Sequence, residues 1–286
     1  MADQHSRAVL ITGCSSGIGR ATAEHLATKG WPVYATARRA ESIADLEASG
    51  CTTLALDVTD EASMKAAVER VEADHGAVGV LVNNAGYSQS GTIEEVPLDD
   101  VRRQFETNVF GLVRMTQLAL PKMRGQRWGK IVNISSMGAN FTFPGGGYYH
   151  ATKHAVDALT DALRFEVKGF GIDAIIIQPG LIMTNFGERA VGEMEGATGG
   201  GDGGPYSEFN AKLAEATKGV YEEGPAAKLG GGPETVAKAI EKAITARRPK
   251  ARYLVTPSAH LLINQKRLMP DRVWDRFLRT QFPQPK

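Results

Sequence analysis

The chain has 286 residues, 42% hydrophobic and 23% charged, with a formal net charge of +1. These values suit one large domain with a sizeable core, and a charge so near zero does not suggest nucleic acid or an anionic membrane as a partner. With only two cysteines (Cys14 and Cys51), no charged-then-apolar export signal and no apolar run of membrane-spanning length, a thiol-reducing, cytoplasmic location and no transmembrane segment are expected.

Residues 8–12 form a short apolar run fit for a strand buried on both faces. Gly13-Cys14-Ser15-Ser16-Gly17-Ile18-Gly19 follows and leads into a helical pattern closed by Gly30. Further strand patterns lie at 33–36, 54–56, 78–82, 131–134, 174–177 and 252–255. Helical patterns fall between them at 41–49, 60–75, 98–120, 150–168 and 233–246, and Pro121 with Gly125 is expected to end the long one at 98–120. Apolar strands alternating with helices predict the α/β class, a doubly wound parallel sheet of about seven strands covered on both faces. A closed eight-stranded barrel is the competing architecture. It is disfavoured because a glycine-rich first turn serves a dinucleotide fold and has no such role in a barrel.

In a doubly wound sheet, ligands bind at the carboxyl ends of the strands. The special stretches of this chain (13–19, 83–86, 135–136 and 179–184) each lie just after a strand. Gly13, Gly17 and Gly19 let the backbone turn sharply and approach a pyrophosphate, and the helix N-terminus behind them offers free N–H groups. The spacing is Gly-x-x-x-Gly-x-Gly, which differs from the three-glycine fingerprint usual for dinucleotides. An acid at the end of the second strand would hold the ribose 2′-hydroxyl of NAD(H). Arg38 and Arg39 occupy that corner instead, and a guanidinium there pairs with a 2′-phosphate, so NADP(H) is favoured over NAD(H).

Tyr149 and Lys153 are four positions apart on the helical pattern at 150–168 and so share a face. An adjacent ammonium favours phenolate, and a phenol tuned toward neutrality can act as a general acid–base. Tyr148 has Thr152 at its own i+4 position, so only Tyr149 has the lysine.

Taken together, these motifs resemble the short-chain dehydrogenase/reductase family in its compact, single-domain, Rossmann-like form, from about residue 7 to 184 and more weakly to 256. The resemblance implies that Gly13, Ser15, Ser16, Gly17, Ile18 and Gly19 form the cofactor turn, and that Asp57 with Val58 meets adenine. It implies that Asn84, Ala85 and Gly86 pass under the ribose, and that Pro179, Gly180, Ile182 and Thr184 hold the carboxamide end. The catalytic set it implies is Asn108, Ser136, Tyr149 and Lys153, with Lys153 also on the nicotinamide ribose and Asn108 holding a relay water. Ser136 is a better match than Ser135, because it lies 13 residues before Tyr149.

The chemistry that follows is hydride transfer between NADP(H) and the carbonyl or alcohol carbon of an apolar, medium-to-large small-molecule substrate, with Tyr149 as general acid–base. Two rivals are a protein that senses NADPH without turnover, and an epimerase or dehydratase on the same fold. His150 and His154 lie four apart as a metal pair would, but no third ligand is evident and no metal is expected. Cys14 reads as a small filler in the turn and Cys51 as buried.

Residues 1–257 are expected to form the dinucleotide-binding and catalytic domain, with a glycine-rich substrate lid inserted at 185–232 and short helices in it at 187–195 and 207–220. Tyr87, Met137, Phe141, Phe143, Tyr148, Leu181, Met183 and Phe186 are candidates to line an apolar substrate pocket. The tail, 258–286, is expected to pack on the domain or on a partner subunit, with a membrane-surface helix as the second reading. Ala151, Ala155, Ala158 and Ala162 give one helix face small enough for close contact, and family members pair through this helix, so a homodimer or homotetramer is expected.

Overall fold

The computed structural model describes residues 5–184, 204–222, 227–282 and 284–285. Strands β1 (Val9–Ile11), β2 (Val33–Ala37), β3 (Cys51–Ala55), β4 (Val80–Asn83), β5 (Gly129–Ile134), β6 (Ile172–Pro179) and β7 (Arg252–Val255) form one parallel sheet in the order β3-β2-β1-β4-β5-β6-β7. The chain therefore runs outward from β1 in one direction and from β4 in the other, which opens a crevice beyond the carboxyl ends of these two central strands.

Alternate residues of each strand supply opposite faces. Val9, Ile11, Val80, Val82, Val132, Ile134, Ile175 and Ile177 pack under α1 (Gly17–Thr28) and the helix at Pro233–Thr245. Leu10, Leu81 and Ile131 face the other way, against α2 (Glu61–His75) and the helix at Gly111–Gly125. Burying each such aliphatic side chain contributes about 1.5–3 kcal/mol, so the register of the central strands is fixed by both layers at once.

The helical stretch expected at 41–49 forms as tight 3-10 turns over Ala40–Ser49. The expected helix at 98–120 is α3 (Leu98–Phe105), one widened π turn (Glu106–Phe110) and α4 (Gly111–Gly125). Pro121 does not end this element but lies inside α4. The backbone bond that proline removes is outweighed by burial of Met115, Ala119 and Met123, all fully enclosed. Helix α5 (Gly147–Glu166) begins three residues earlier than the pattern at 150–168 suggests, so Tyr149 falls in its first turn. Helices α6 (Ser207–Glu222) and α7 (Pro233–Thr245) follow, and the short helix expected at 187–195 lies outside the described residues.

The tail is helical. Helices α8 (Pro257–Leu268) and α9 (Asp271–Gln281) join a third apolar cluster with Met137, Phe141 and Leu181. Trp274 is its anchor, 4% exposed, with ring centroids 5.6 Å from Phe141 and 6.2 Å from Phe143. No helix among the described residues is long and apolar enough to cross a membrane.

Candidate active site

The turn after β1 has the geometry its glycines suggest. Gly13 and Gly17 have φ of +75° and +60°, a region costly for any side chain. A Cβ on Gly19 would overlap the Gly13 carbonyl and the Asn84 carboxamide. Helix α1 starts after Ser16 with no side-chain cap and no acid in its first turn, so its N-terminal N–H groups face the crevice without a competing anion of their own. The turn is pinned from beneath by the segment after β4. Asn84 Nδ2 donates to the carbonyls of Thr12 (2.9 Å) and Gly13 (3.0 Å), and Thr12 Oγ1 accepts from the backbone N–H of both Asn84 and Ala85 (3.0 Å each). The Asn84 side chain is thus a fastener of the glycine turn, a role that sequence spacing does not reveal. These features, a tight glycine cradle and an uncapped helix start, fit a pyrophosphate.

Arg38 and Arg39 are exposed at the end of β2, and neither guanidinium has an ion pair among the described residues. Asp57 Oδ1 accepts from the N–H and hydroxyl of Thr59 (2.9 and 2.8 Å), which fixes it just beyond β3 beside the buried Val58. On the far side of the crevice, Gly180 lies against Thr256 and Ser258, where a Cβ would not fit. The strained backbone of Thr256 (φ +83°) shapes this corner, and its hydroxyl lies 2.9 Å from that of Ser258. Ile182 pairs with Gly231, and the Thr184 methyl is the nearest group to where a Gly17 side chain would begin. The segment 179–184 therefore reaches across to the start of α1.

Ser136 and Tyr149 come from neighbouring elements. Ser136 follows β5 in an extended conformation, is half-buried, and its Oγ accepts from the Gly138 N–H at 3.0 Å. That bond uses a lone pair and leaves the hydroxyl hydrogen to be given elsewhere. Ser135 points the other way and is buried beside Asp157; burial raises the Asp157 carboxyl above its ordinary range, and Ser135 opposes that rise only by proximity, without a well-formed hydrogen bond. Tyr149 is half-buried, whereas the Tyr148 hydroxyl donates to the Ile93 carbonyl at 2.8 Å.

Lys153 is buried, its Nζ 5.6 Å from the Tyr149 ring centroid and donating to the Ile134 carbonyl at 2.8 Å. Burial pushes its pKa down to about 8, and the Asp157 carboxylate one turn further along α5 pulls it back up. Asp157 belongs to a partly buried network that lies outside the sequence motifs: Gln178 donates to it at 2.7 Å, and Arg252 lies 3.6 Å away while also pairing with Asp161. An acid four residues after the lysine was the available signal.

Asn108 sits in the widened turn between α3 and α4. Its Oδ1 accepts from the Tyr87 N–H (3.0 Å), and its Nδ2 donates to the Tyr87 carbonyl (2.8 Å) and to Thr152 Oγ1 (3.2 Å). Both ends of the carboxamide are occupied, so the side chain joins the segment after β4 to α5. Cys14 is fully buried, and burial pushes its thiol up to about 12, which leaves it neutral in the turn. Of the candidate pocket residues, Phe141, Met137 and Leu181 are buried in the tail cluster, Met183 is 43% exposed, and Phe186 lies outside the described residues.

The chain is similar to proteins of known class. The family model described as short chain dehydrogenase matches residues 7–194. An NADPH-dependent 3-dehydrocapnine reductase from Ornithobacterium rhinotracheale is 36% identical, over 94% of this chain and 95% of that protein. A 3-ketodihydrosphingosine reductase from Bacteroides thetaiotaomicron is 34% identical, over 95% of this chain and 96% of that protein. Among solved structures, a short-chain dehydrogenase from Streptomyces avermitilis superposes with a TM-score of 0.78 at 33% identity, over 96% of both chains. A short-chain dehydrogenase/reductase from Burkholderia phymatum in complex with NAD gives 0.76 at 25% identity, over 96% of this chain and 97% of that one. The fold, the ordered motifs and these matches agree, and the chain belongs to the short-chain dehydrogenase/reductase family of oxidoreductases.

Proposed function

We propose that this oxidoreductase uses NADP(H) to reduce a 3-keto group on a substrate with a long apolar chain. The observation that carries the reading is the juxtaposition of a half-buried Tyr149 with a buried Lys153, whose Nζ lies 5.6 Å from the phenol ring, on the helix that follows the aromatic Phe141–Phe143 loop. The substrates for which the two relatives are named, 3-dehydrocapnine and 3-ketodihydrosphingosine, support a ketone of this class. The exposed Arg38 and Arg39, together with the NADPH dependence of the first relative, support NADP(H), although the Burkholderia phymatum structure holds NAD.

The bound dinucleotide supplies the hydride. In the proposed site, the backbone of residues 13–19 binds the pyrophosphate, and Arg38 with Arg39 binds the 2′-phosphate. Asp57 and Val58 would hold the adenine, Asn84 to Gly86 the ribose, and residues 179–184 the carboxamide end. Tyr149 gives a proton to the substrate oxygen, and Ser136 donates its free hydroxyl hydrogen to the same atom. Lys153 would hold the ribose hydroxyls, and its ammonium favours the phenolate that remains. Asn108 keeps α5 against the segment after β4 and would hold the relay water that links Lys153 to solvent. The exposed Phe110, Leu159 and Phe165, at 55%, 42% and 82%, support self-association through α5 and its neighbour.

The test is NADPH and NADH oxidation against a panel of ketones graded from acetone to 3-ketodihydrosphingosine. The reading expects turnover of the long-chain 3-ketones with NADPH and much slower turnover with NADH. It expects Tyr149→Phe to lose roughly a thousandfold or more in kcat while NADPH still binds. Tight NADPH binding with no carbonyl reduced across the panel would overturn it.

A further inference from the structure

We propose that His150 is a positioning residue for this reaction: its imidazole ties the loop that carries Ser136 to the helix that carries Tyr149, and so sets the spacing of the two groups that meet the substrate oxygen. The inference rests on the reductase reading above.

His150 follows Tyr149 directly but is buried, 7% exposed. Its Nδ1 lies 2.8 Å from the Gly138 carbonyl, and its Nε2 lies 3.3 Å from the Phe143 N–H. A carbonyl can only accept and a backbone N–H can only donate, so only the neutral ring with its proton on Nδ1 makes both bonds. Burial, which pushes the ring below its ordinary pKa, favours the same neutral form. An imidazolium would set an N–H against the Phe143 N–H.

Gly138 closes the link, because its carbonyl takes the His150 proton while its N–H donates to Ser136 Oγ at 3.0 Å. Position 138 has no room for a side chain, since a Cβ there would overlap the imidazole, and a Cβ at Gly146 would stand 3.0 Å from the ring's other edge. The rings of Phe141 and Phe143, with centroids 6.4 and 6.1 Å away, enclose it further. The imidazole is therefore held by two backbone bonds and two glycines, and the Ser136 hydroxyl is held through it. Neither ring nitrogen is available to a metal.

The experiment uses the full chain and the fastest ketone of the panel above. His150→Leu removes both bonds, whereas His150→Asn keeps a donor where Nδ1 stood. The expected result for His150→Leu is a kcat lower by roughly 10- to 100-fold, as for a misplacement of about 1 Å, with KM and NADPH affinity nearly unchanged. His150→Asn is expected to recover a large part of that loss. A kcat within about twofold of wild type for His150→Leu would overturn the proposal. So would a joint fall of kcat, NADPH affinity and thermal midpoint that Asn does not rescue. A second arm needs no turnover: in ring-15N-histidine spectra at neutral pH, the signal lost in His150→Asn must show the Nδ1–H tautomer, and an Nε2–H or imidazolium signal overturns the proposal. If wild type reduces no ketone, the reductase reading fails, while the tautomer arm still reports on His150.

Discussion

Lys153 is held between two opposing influences. Burial brings its pKa down to about 8, and Asp157 raises it. The ammonium is the form that favours phenolate, so activity should fall as pH rises through the lysine pKa. Asp157→Asn removes the raising influence, and the alkaline limb of the kcat/KM profile should move to lower pH; a limb that stays in place would separate Asp157 from Lys153. At the glycine turn, Gly19→Ala forces a methyl against the Gly13 carbonyl and Asn84. Overpacking of this kind costs about 1–3 kcal/mol, and NADPH affinity measured by fluorescence titration should drop while the far-UV spectrum stays native. Unchanged affinity would show that the cradle yields without cost. The Tyr149–Lys153 pair was legible in sequence because one helical turn relates its members. The partners of His150 were not, because Gly138 and Phe143 reach it only once the loop folds back over α5.

At the scale of elements, β5 carries a lysine into the sheet. Lys130 is 4% exposed, and its Nζ pairs with Asp173 on β6 at 2.6 Å and donates to the Ala246 carbonyl at 3.3 Å. Burial alone would raise the Asp173 carboxyl, but the Lys130 and Lys168 ammonium groups outweigh it and hold the pKa below the usual range. A carboxyl lowered in the folded state stabilises fully above its unfolded value, about pH 4, and that share is lost as pH falls through the folded value. Asp173→Asn leaves Lys130 charged and poorly paired, and should cost about 2–3 kcal/mol in denaturant unfolding at neutral pH, the partial exposure of Asp173 reducing the figure for a fully buried pair. A change below about 0.5 kcal/mol would mean that the pair is screened by solvent. Strand and helix types were readable from apolar periodicity. The continuation of α4 through Pro121 was not, because proline reads locally as a stop, and tertiary burial of the last helical turn decides otherwise.

For the molecule as a whole, the crevice is bordered by parts distant in sequence. Leu181 and Met183 pair with Gly231 through backbone bonds of 3.0 and 2.9 Å, so the chain leaves and rejoins the site at one place. Helix α6 bears on the segment before α3, where Tyr206 and Asn210 meet Glu94 and Glu95 at 2.8 Å. The lid expected at 185–232 falls partly outside the described residues. Trp274 of the tail packs beside Phe141 and Phe143, in the loop that follows Ser136. If this aromatic wall receives an alkyl chain, Trp274→Ala should raise KM for long-chain ketones and leave short ketones unaffected, and an equal effect on both would place the chain elsewhere. The alternation of strands and helices made the sheet legible, and the ordered motifs located its carboxyl edge. The tail's docking was less so, because its apolar residues suit a partner surface as well as their own domain.

The most direct measurement follows deuterium from NADPH labelled at the transferable nicotinamide position into 3-ketodihydrosphingosine, with wild type and Tyr149→Phe compared by mass spectrometry. The expected result is one deuterium on the new carbinol carbon with wild type, and almost none in the same time with the phenylalanine variant. Label retained in the cofactor with wild type, or transferred equally well without the Tyr149 hydroxyl, would contradict it.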